Sequence, residues 1–304
     1  MKLYAPAYYP RFACIADRCR HSCCIGWEID VDEDTLQRYD ALEGGYGEKI
    51  SASIEGREDC PHFCLGEGER CPHLNECGLC RIILSLGEDY LCDICREHPR
   101  FYHETVHGRE VGLGMACEEA CRLILESEIE PQLILLGEDG EEEADTSRFD
   151  TLPARAQLYA LLREPLLPYA TRLELMAATY ELSPADYPDA HWRALFSNLE
   201  YMNKANRVRY ATCFSTAPDT PAWAEPYLAR ALSYFIFRHC TPAEDAQQFA
   251  ASLGLCLILE RLLASLSRDL PSGDLAALQE HARTLSEELE YSEDNTDAIR
   301  SFFF

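Results

Sequence analysis

Thirteen of the sixteen cysteines lie between Cys14 and Cys121, and the remaining 183 residues hold only Cys213, Cys240 and Cys256. At about 11% Cys, the first 121 residues must be either a disulfide scaffold or a metal site. The segment Met1 to Cys14 carries one Lys and no apolar run of signal-peptide length. That points to a reducing cytosol, where clustered thiols serve as ligands more often than as bridges. The energetics agree: a structural metal contributes ~10 kcal/mol or more to folding a small domain, against ~2 to 4 for one disulfide.

The rest of the composition narrows the function classes. A hydrophobic content of 47% over 304 residues fills the core of one large or two ordinary domains. Lys and Arg number 27 against 53 Asp and Glu, a net charge of -26. Such a surface opposes binding that relies on neutralising phosphates, so nucleic acid is not an expected partner. No uncharged run reaches the ~18 residues of a membrane span. The most apolar stretches, Tyr227 to Phe237 and Leu253 to Leu266, are broken by Arg230 and by Glu260 with Arg261, and read as buried helices. Peripheral membrane association stays open, although no Lys-rich amphipathic face supports it.

Along the chain, the fold class expected is mainly α: a Cys-rich metal-binding domain over residues 1–127 with a small hairpin, an acidic linker over 128–150, and an all-helical domain over 151–304. Asp32 or Asp34 caps an early helix bearing Leu36, Tyr39 and Leu42, and Gly44-Gly45 ends it. Arg100 to Leu113 alternates around His107-Gly108 as a hairpin. A short helix from Ala116 to Ser127 sets Cys117 and Cys121 one turn apart. The linker carries Gly137, Gly140 and Glu141-Glu142-Glu143. Beyond it, helical segments of ~15 to 25 residues are separated at Pro165, Pro184, Pro221, Pro242 and Pro271. Thr241-Pro242-Ala243-Glu244 has the form of a capping box.

The densest thiol group is Cys14-x4-Cys19-x3-Cys23-Cys24, next to Trp27. Adjacent cysteines point in different directions, so one of Cys23 and Cys24 is expected to bind and the other to pack. Cys71, Cys77-x2-Cys80, Cys92-x2-Cys95 and the pair Cys117 and Cys121 follow, with Cys60 and Cys64 before them. Loops of this spacing turn two sulfurs toward a shared ion. Spacing does not separate zinc from an iron-sulfur cluster. His62, His73 and His98 lie near thiols without the pairing of a zinc finger. No nucleophile elbow, P-loop or strand-linked dinucleotide fingerprint is present.

These residues form an ordered set: Phe12-x-Cys14, then Cys19-x3-Cys23-Cys24-x2-Trp27-x-Ile29-Asp30, Cys71-Pro72-x-Leu74 with Leu79-Cys80, Leu86-Gly87-Glu88-x2-Leu91-x3-Cys95-Arg96-x2-Pro99-Arg100, and Cys117-Glu118-Glu119-Ala120. In that order they resemble the flagellin lysine N-methylase family, and Glu290-Tyr291-Ser292-Glu293-Asp294-Asn295 is similar to that family's C-terminal Glu-His-Ser-x-x-Asn segment. The resemblance implies a cytoplasmic bacterial protein that carries a [4Fe-4S] cluster and uses S-adenosylmethionine to methylate lysine amines of flagellin. Carried over by position, Cys14, Cys19, Cys23, Cys24, Cys71, Cys80, Cys95 and Cys117 are the implied cluster thiols, with Cys60, Cys64, Cys77, Cys92 and Cys121 outside the pattern. Two departures stand out: Tyr291 occupies the place of the family's His, and Ala116-Cys117-Glu118 replaces Ser-Cys-Pro.

A lysine amine must lose its proton before it attacks a methyl sulfonium. Within the C-terminal segment, Glu290 and Asn295 are the candidate catalytic residues, the bland alternative being a solvated helix end. Arg100 is the candidate partner for a carboxylate such as the methionine end of the cofactor, against a structural ion pair. Trp27 is the candidate to shield a cluster or stack on adenine, against simple core packing. The leading expectation is a protein-lysine N-methyltransferase. The alternatives are a non-enzymatic protein with structural zinc or iron, and a redox protein working through Cys92-x2-Cys95.

Overall fold

Strand β1 (Lys2–Pro6) opens the chain but belongs with the residues after 100. In the computed structural model, which describes residues 1–138, 144–182, 189–215 and 220–304, the chain divides into two units. One is Ala13–Arg100; the other joins Met1–Phe12 to Phe101–Phe304. The expected linker over 128–150 is not this division, because the five-residue N-terminal strand pairs with partners more than a hundred residues away.

The smaller unit is built from short pieces. Helix α1 (Glu33–Asp40) starts where Asp32 accepts from Thr35 N–H at 2.9 Å. The other oxygen of the same carboxylate accepts from Asp93 N–H at 2.8 Å, so one side chain serves two helix starts. Those N–H groups outweigh the desolvation and hold Asp32 below the usual aspartate range. The expected stop at Gly44-Gly45 is not where α1 ends: the helix closes at Asp40 with Ala41 as its C-cap, and Gly44, at φ +102°, instead opens a second helix, α2 (Gly45–Ser51). Strands β2 (Ile54–Glu55) and β3 (His62–Phe63) make a small antiparallel ribbon. Helices α3 (Arg81–Leu86) and α4 (Asp93–Glu97) follow. Ile29, Val31, Tyr39, Ile50, Phe63, Leu74 and Ile82 form an apolar core that also takes in Cys71 and Cys92.

The larger unit contains a four-stranded sheet. The expected hairpin is β4 (Arg100–Thr105) and β5 (Gly108–Leu113). The strand order is β4-β5-β1-β6, with β1 parallel to β5 and antiparallel to β6 (Leu133–Glu138). Gly108, at φ +138°, is required: a Cβ there would collide with the Lys2 carbonyl of the neighbouring strand. Part of the expected linker is therefore sheet, and Gly140 and Glu141-Glu142-Glu143 lie outside the described residues. Helix α5 (Glu118–Leu125) sits between β5 and β6 in the chain.

The helical part follows as α6 (Leu152–Leu162), α7 (Tyr169–Thr179), α8 (Asp189–Asn198), α9 (Lys204–Thr212), α10 (Glu225–Phe235), α11 (Ala246–Ser267), α12 (Leu275–Leu285) and α13 (Glu293–Arg300). Most are shorter than expected. The expected capping box at Thr241 is not used. Helix α11 starts at Ala246, with Asp245 accepting from Gln248 N–H, because the Thr241 hydroxyl is spent on the Phe237 carbonyl and on Arg155. Pro184 falls outside the described residues.

Helix α11 is the centre of the core, with Leu253 to Leu259 buried on every side. By length and composition it alone among the described residues could span a membrane, yet 78% of its most apolar window is buried inside the fold. It also carries Glu260. Helices α10 and α12 each widen at their C-terminal ends into a π turn, Ile236–Cys240 and Ser286–Glu290. Such turns are rare and concentrate at functional sites. A second buried feature ties sheet to helices: Arg155 makes a bidentate pair with Glu110 at 2.8 Å, with Thr241 accepting from the same guanidinium.

Candidate functional site

In the smaller unit, the local folds turn thiols inward. Cys80 and Cys92 are the N-cap residues of α3 and α4. Both are set against the apolar core, together with Cys24, Cys71 and Cys95. Backbone N–H groups point at the sulfurs: His73 at Cys71, Ile82 and Ile83 at Cys80, and Cys95 at Cys92. These donors favour thiolate. Burial and mutual repulsion oppose it. Burial pushes Cys71 up to about 12 and raises Cys80, while the hydrogen bond between Cys92 and Cys95 lowers the first and raises the second. Cys24 comes down to about 7, mainly through its bond with the Cys23 side chain.

Five thiols within electrostatic reach of one another, N–H donors aimed at three of them and an apolar wall are a donor set suited to a cationic inorganic centre, whose charge would make thiolate the stable form. Among the described residues, no three His, Cys, Asp or Glu side chains stand close enough to hold a single metal ion. A multi-iron cluster accepts a wider setting of its sulfurs than one ion does.

Of the eight thiols implied by the resemblance, Cys24, Cys71, Cys80 and Cys95 are brought together. Cys92, left outside the pattern, joins them. Cys14 and Cys23 are exposed, and Cys19 is half-buried with its thiol donating to the His21 carbonyl. Cys23 and Cys24 differ in burial, and their thiols share a hydrogen bond. Cys117 is the N-cap of α5 in the larger unit. Trp27 packs on the core near the ring of His98, and its indole N–H donates to the Cys23 carbonyl at 2.7 Å. Arg100 donates to the Arg96 carbonyl at 3.0 Å.

The larger unit holds a second constellation, centred on Glu290 and built by the two π turns. The Glu290 side chain is fully buried. It is ionised, so it only accepts, and His239 Nε2 therefore carries the proton in their 2.7 Å hydrogen bond. Arg238 Nε lies 3.5 Å from the same oxygen, and the Tyr234 hydroxyl donates to the other at 3.3 Å. Burial alone would raise this carboxyl; Arg238 and His239 outweigh it and hold Glu290 below the usual range. Burial keeps His239 neutral, with its Nδ1 facing Arg300 at 3.5 Å. The Arg238 guanidinium lies between two rings, 4.9 Å from Phe101 and 5.0 Å from Tyr291. Tyr291 itself is half-exposed and bonds to Arg238 through its side chain.

The other candidate, Asn295, has its side chain engaged by backbone groups. It is 1% exposed. Its amide donates to the carbonyls of Glu200 and Glu288, and its oxygen accepts from Glu200 N–H. Beside it, Glu288 accepts from Met202 N–H, Asn203 N–H and the Asn206 amide. Both side chains pin the start of α9. Neither Arg238 nor His239 was singled out in the sequence, where they lie some fifty residues from Glu290. The break in helical phase at each π turn leaves no mark in the hydrophobic pattern.

No protein-family profile matches the chain, and no solved structure does. Curated relatives do. The chain is 29% identical over 186 residues to a lysine-N-methylase of Salmonella typhimurium, covering 58% of this chain and 45% of that protein. It is 28% identical over the same length to the lysine-N-methylase of Salmonella choleraesuis. The flagellar biosynthetic protein FliU of Salmonella muenchen is 30% identical over 142 residues, 44% of this chain and 80% of FliU. The chain belongs to the flagellin lysine N-methylase family. The match spans about half the length of the Salmonella lysine-N-methylases.

Within this flagellin lysine N-methylase relative, the C-terminal family segment thus has a physical account. Glu290 anchors Arg238 and His239, Tyr291 covers Arg238, Ser292 caps α13 by accepting from Asn295 N–H, and Asn295 fixes the loop before α9.

Proposed function

We propose that this protein transfers a methyl group from S-adenosylmethionine to lysine ε-amines of flagellin, with a [4Fe-4S] cluster held by thiols of the smaller unit. The observation that carries this reading is the likeness to FliU and to the lysine-N-methylases. The thiol group of Cys24, Cys71, Cys80, Cys92 and Cys95 supports the cluster, since it offers one donor more than the four that such a centre takes. When bound, S-adenosylmethionine supplies an electrophilic methyl on sulfur. A lysine amine that has already lost its proton to solvent would accept that methyl, with the thioether S-adenosylhomocysteine as the leaving group.

Glu290 cannot take that proton directly, because its oxygens are buried and engaged by His239, Arg238 and Tyr234. It acts as a positioning residue. By holding Arg238 it fixes the ring of Tyr291, the one half-exposed member of this network. Tyr291 occupies the place of the family's His, and on this reading its half-exposed phenol, bonded to Arg238, is the acceptor for a substrate amine.

The test is incubation of anaerobically prepared, iron-containing protein with methyl-labelled S-adenosylmethionine and flagellin. Label is expected on flagellin lysines. Intact iron and bound S-adenosylmethionine without any methyl-lysine would sink the reading. Iron and zinc analysis of the same preparation separates a cluster from a structural zinc site.

A further inference from the structure

We propose that β6 is a docking edge for an extended, lysine-bearing polypeptide, which adds to the sheet as a further strand. Strand β6 ends the four-stranded sheet, and among the described residues its only strand partner is β1. Its sequence is Leu133-Ile134-Leu135-Leu136-Gly137-Glu138. Ile134, Leu135 and Leu136 are 36%, 57% and 38% exposed. Ile134 and Leu135 pair in register with Ala5 and Tyr4 and so point to opposite faces, while Leu136 is the extra residue of a bulge before Gly137; exposed apolar side chains therefore stand on both faces of this edge. Proteins normally protect such edges with charge, proline, bulges or a covering element; β6 has a bulge at Leu136 and Glu138 at its end, and neither covers Ile134 and Leu135. A run of this kind on a surface is an error unless it has a use.

Two observations choose the occupant. A second copy of the chain would bring another net charge of -26 against the first. A single six-residue strand also falls short of the roughly 1,200–2,000 Å² that a stable pairing of folded proteins buries. An extended cationic segment meets neither objection. Its backbone would satisfy the free edge, alternate apolar side chains would cover the leucines, and its lysines would face an acidic protein whose strand ends at the exposed Glu138. That the lysines belong to a methyl-acceptor protein rests on the methyltransferase reading; the docking itself does not.

Three short labelled peptides test it by fluorescence anisotropy against the full chain: alternating Val-Lys, alternating Val-Glu, and Val-Lys with alternate amides N-methylated. The first is expected to bind, more weakly as salt rises, and to slow amide exchange across Leu133–Glu138. Neither of the others should bind. The double variant Leu135→Ser, Leu136→Ser changes only exposed side chains and should lose about tenfold in affinity, with unchanged circular dichroism. Equal binding of the N-methylated peptide, equal binding by the variant, or sedimentation showing a dimer that the variant abolishes would each overturn the proposal. Docking without methyl transfer to lysine-containing peptides keeps the edge and removes the methyltransferase. Methyl transfer unaffected by the double variant does the reverse.

Discussion

His239 Nε2 donates to Glu290 Oε1 across 2.7 Å, and both residues sit in π turns that extend α10 and α12. Removing the carboxylate charge strands the Arg238 guanidinium in a largely buried setting. Breaking one side of a buried pair costs about 3–5 kcal/mol, whereas replacing both partners by apolar groups costs far less. Glu290→Gln is therefore expected to lose on the order of 3 kcal/mol in urea unfolding, and Glu290→Gln with Arg238→Met should recover part of it. The sign with pH follows from the depressed carboxyl. Its contribution is present above the unfolded-state value near 4.5 and is lost as pH falls through the lower native value. Unfolding curves of Glu290→Gln that overlay the parent at neutral pH would contradict this account.

Asn295 gives a contrasting expectation. Its amide joins Glu200 to Glu288 through three hydrogen bonds, with the side chain 1% exposed. Asn295→Ala leaves those backbone groups without partners, at roughly 2–3 kcal/mol. A melting temperature lower by several degrees is expected, with kcat for methyl transfer unchanged at temperatures where the variant is folded. A large drop in kcat without a change in melting would restore a catalytic role.

How much of this was legible beforehand depends on the range over which the deciding interaction acts. The Asp32 cap and the hairpin around His107 are local, and local chemistry predicts them. The Glu290 segment stood out only through the family resemblance, because its partners Arg238 and His239 lie some fifty residues away. Strand β1 was not legible, since a five-residue strand becomes one only through partners at Arg109 and Leu133–Glu138. The Thr241 box misled because its hydroxyl had a better use inside the core, with Arg155. Among the thiols, position in the family pattern named eight, of which Cys24, Cys71, Cys80 and Cys95 lie in the buried group and Cys14, Cys19, Cys23 and Cys117 do not. It passed over Cys92, whose burial depends on α4 packing against the core rather than on spacing.

The thiol group makes its own prediction. Five thiols lie within electrostatic reach of one another on one apolar core, and a cubane cluster takes four. Single Ser replacements at Cys24, Cys71, Cys80, Cys92 and Cys95 should lower bound iron at four positions and spare it at one, while Cys77→Ser, at an exposed turn, keeps iron at the parent level. The readout is iron per chain in anaerobically purified protein. Full iron in all five variants would remove this group from cofactor binding.

Glu260 supplies the last expectation. It lies inside α11, fully buried, and its one described hydrogen-bond partner is the Tyr169 hydroxyl at 2.9 Å. Burial pushes its carboxyl up to about 7, the Tyr169 bond offsetting only part of that cost. The native state therefore holds this proton more tightly than the unfolded chain, where the carboxyl titrates near 4.5. Stability from this group is full below pH 4.5 and falls as pH rises through about 7. The gap between the two values corresponds to roughly 3 kcal/mol. Glu260→Gln keeps an oxygen for Tyr169 and cannot ionise. Its stability relative to the parent should thus rise across this window and level off above it. Urea unfolding of both proteins at several pH values between 4.5 and 8.5 measures that difference, in which the other titrating groups cancel. A difference that stays flat with pH would mean the carboxyl reaches solvent or a cation in the folded protein.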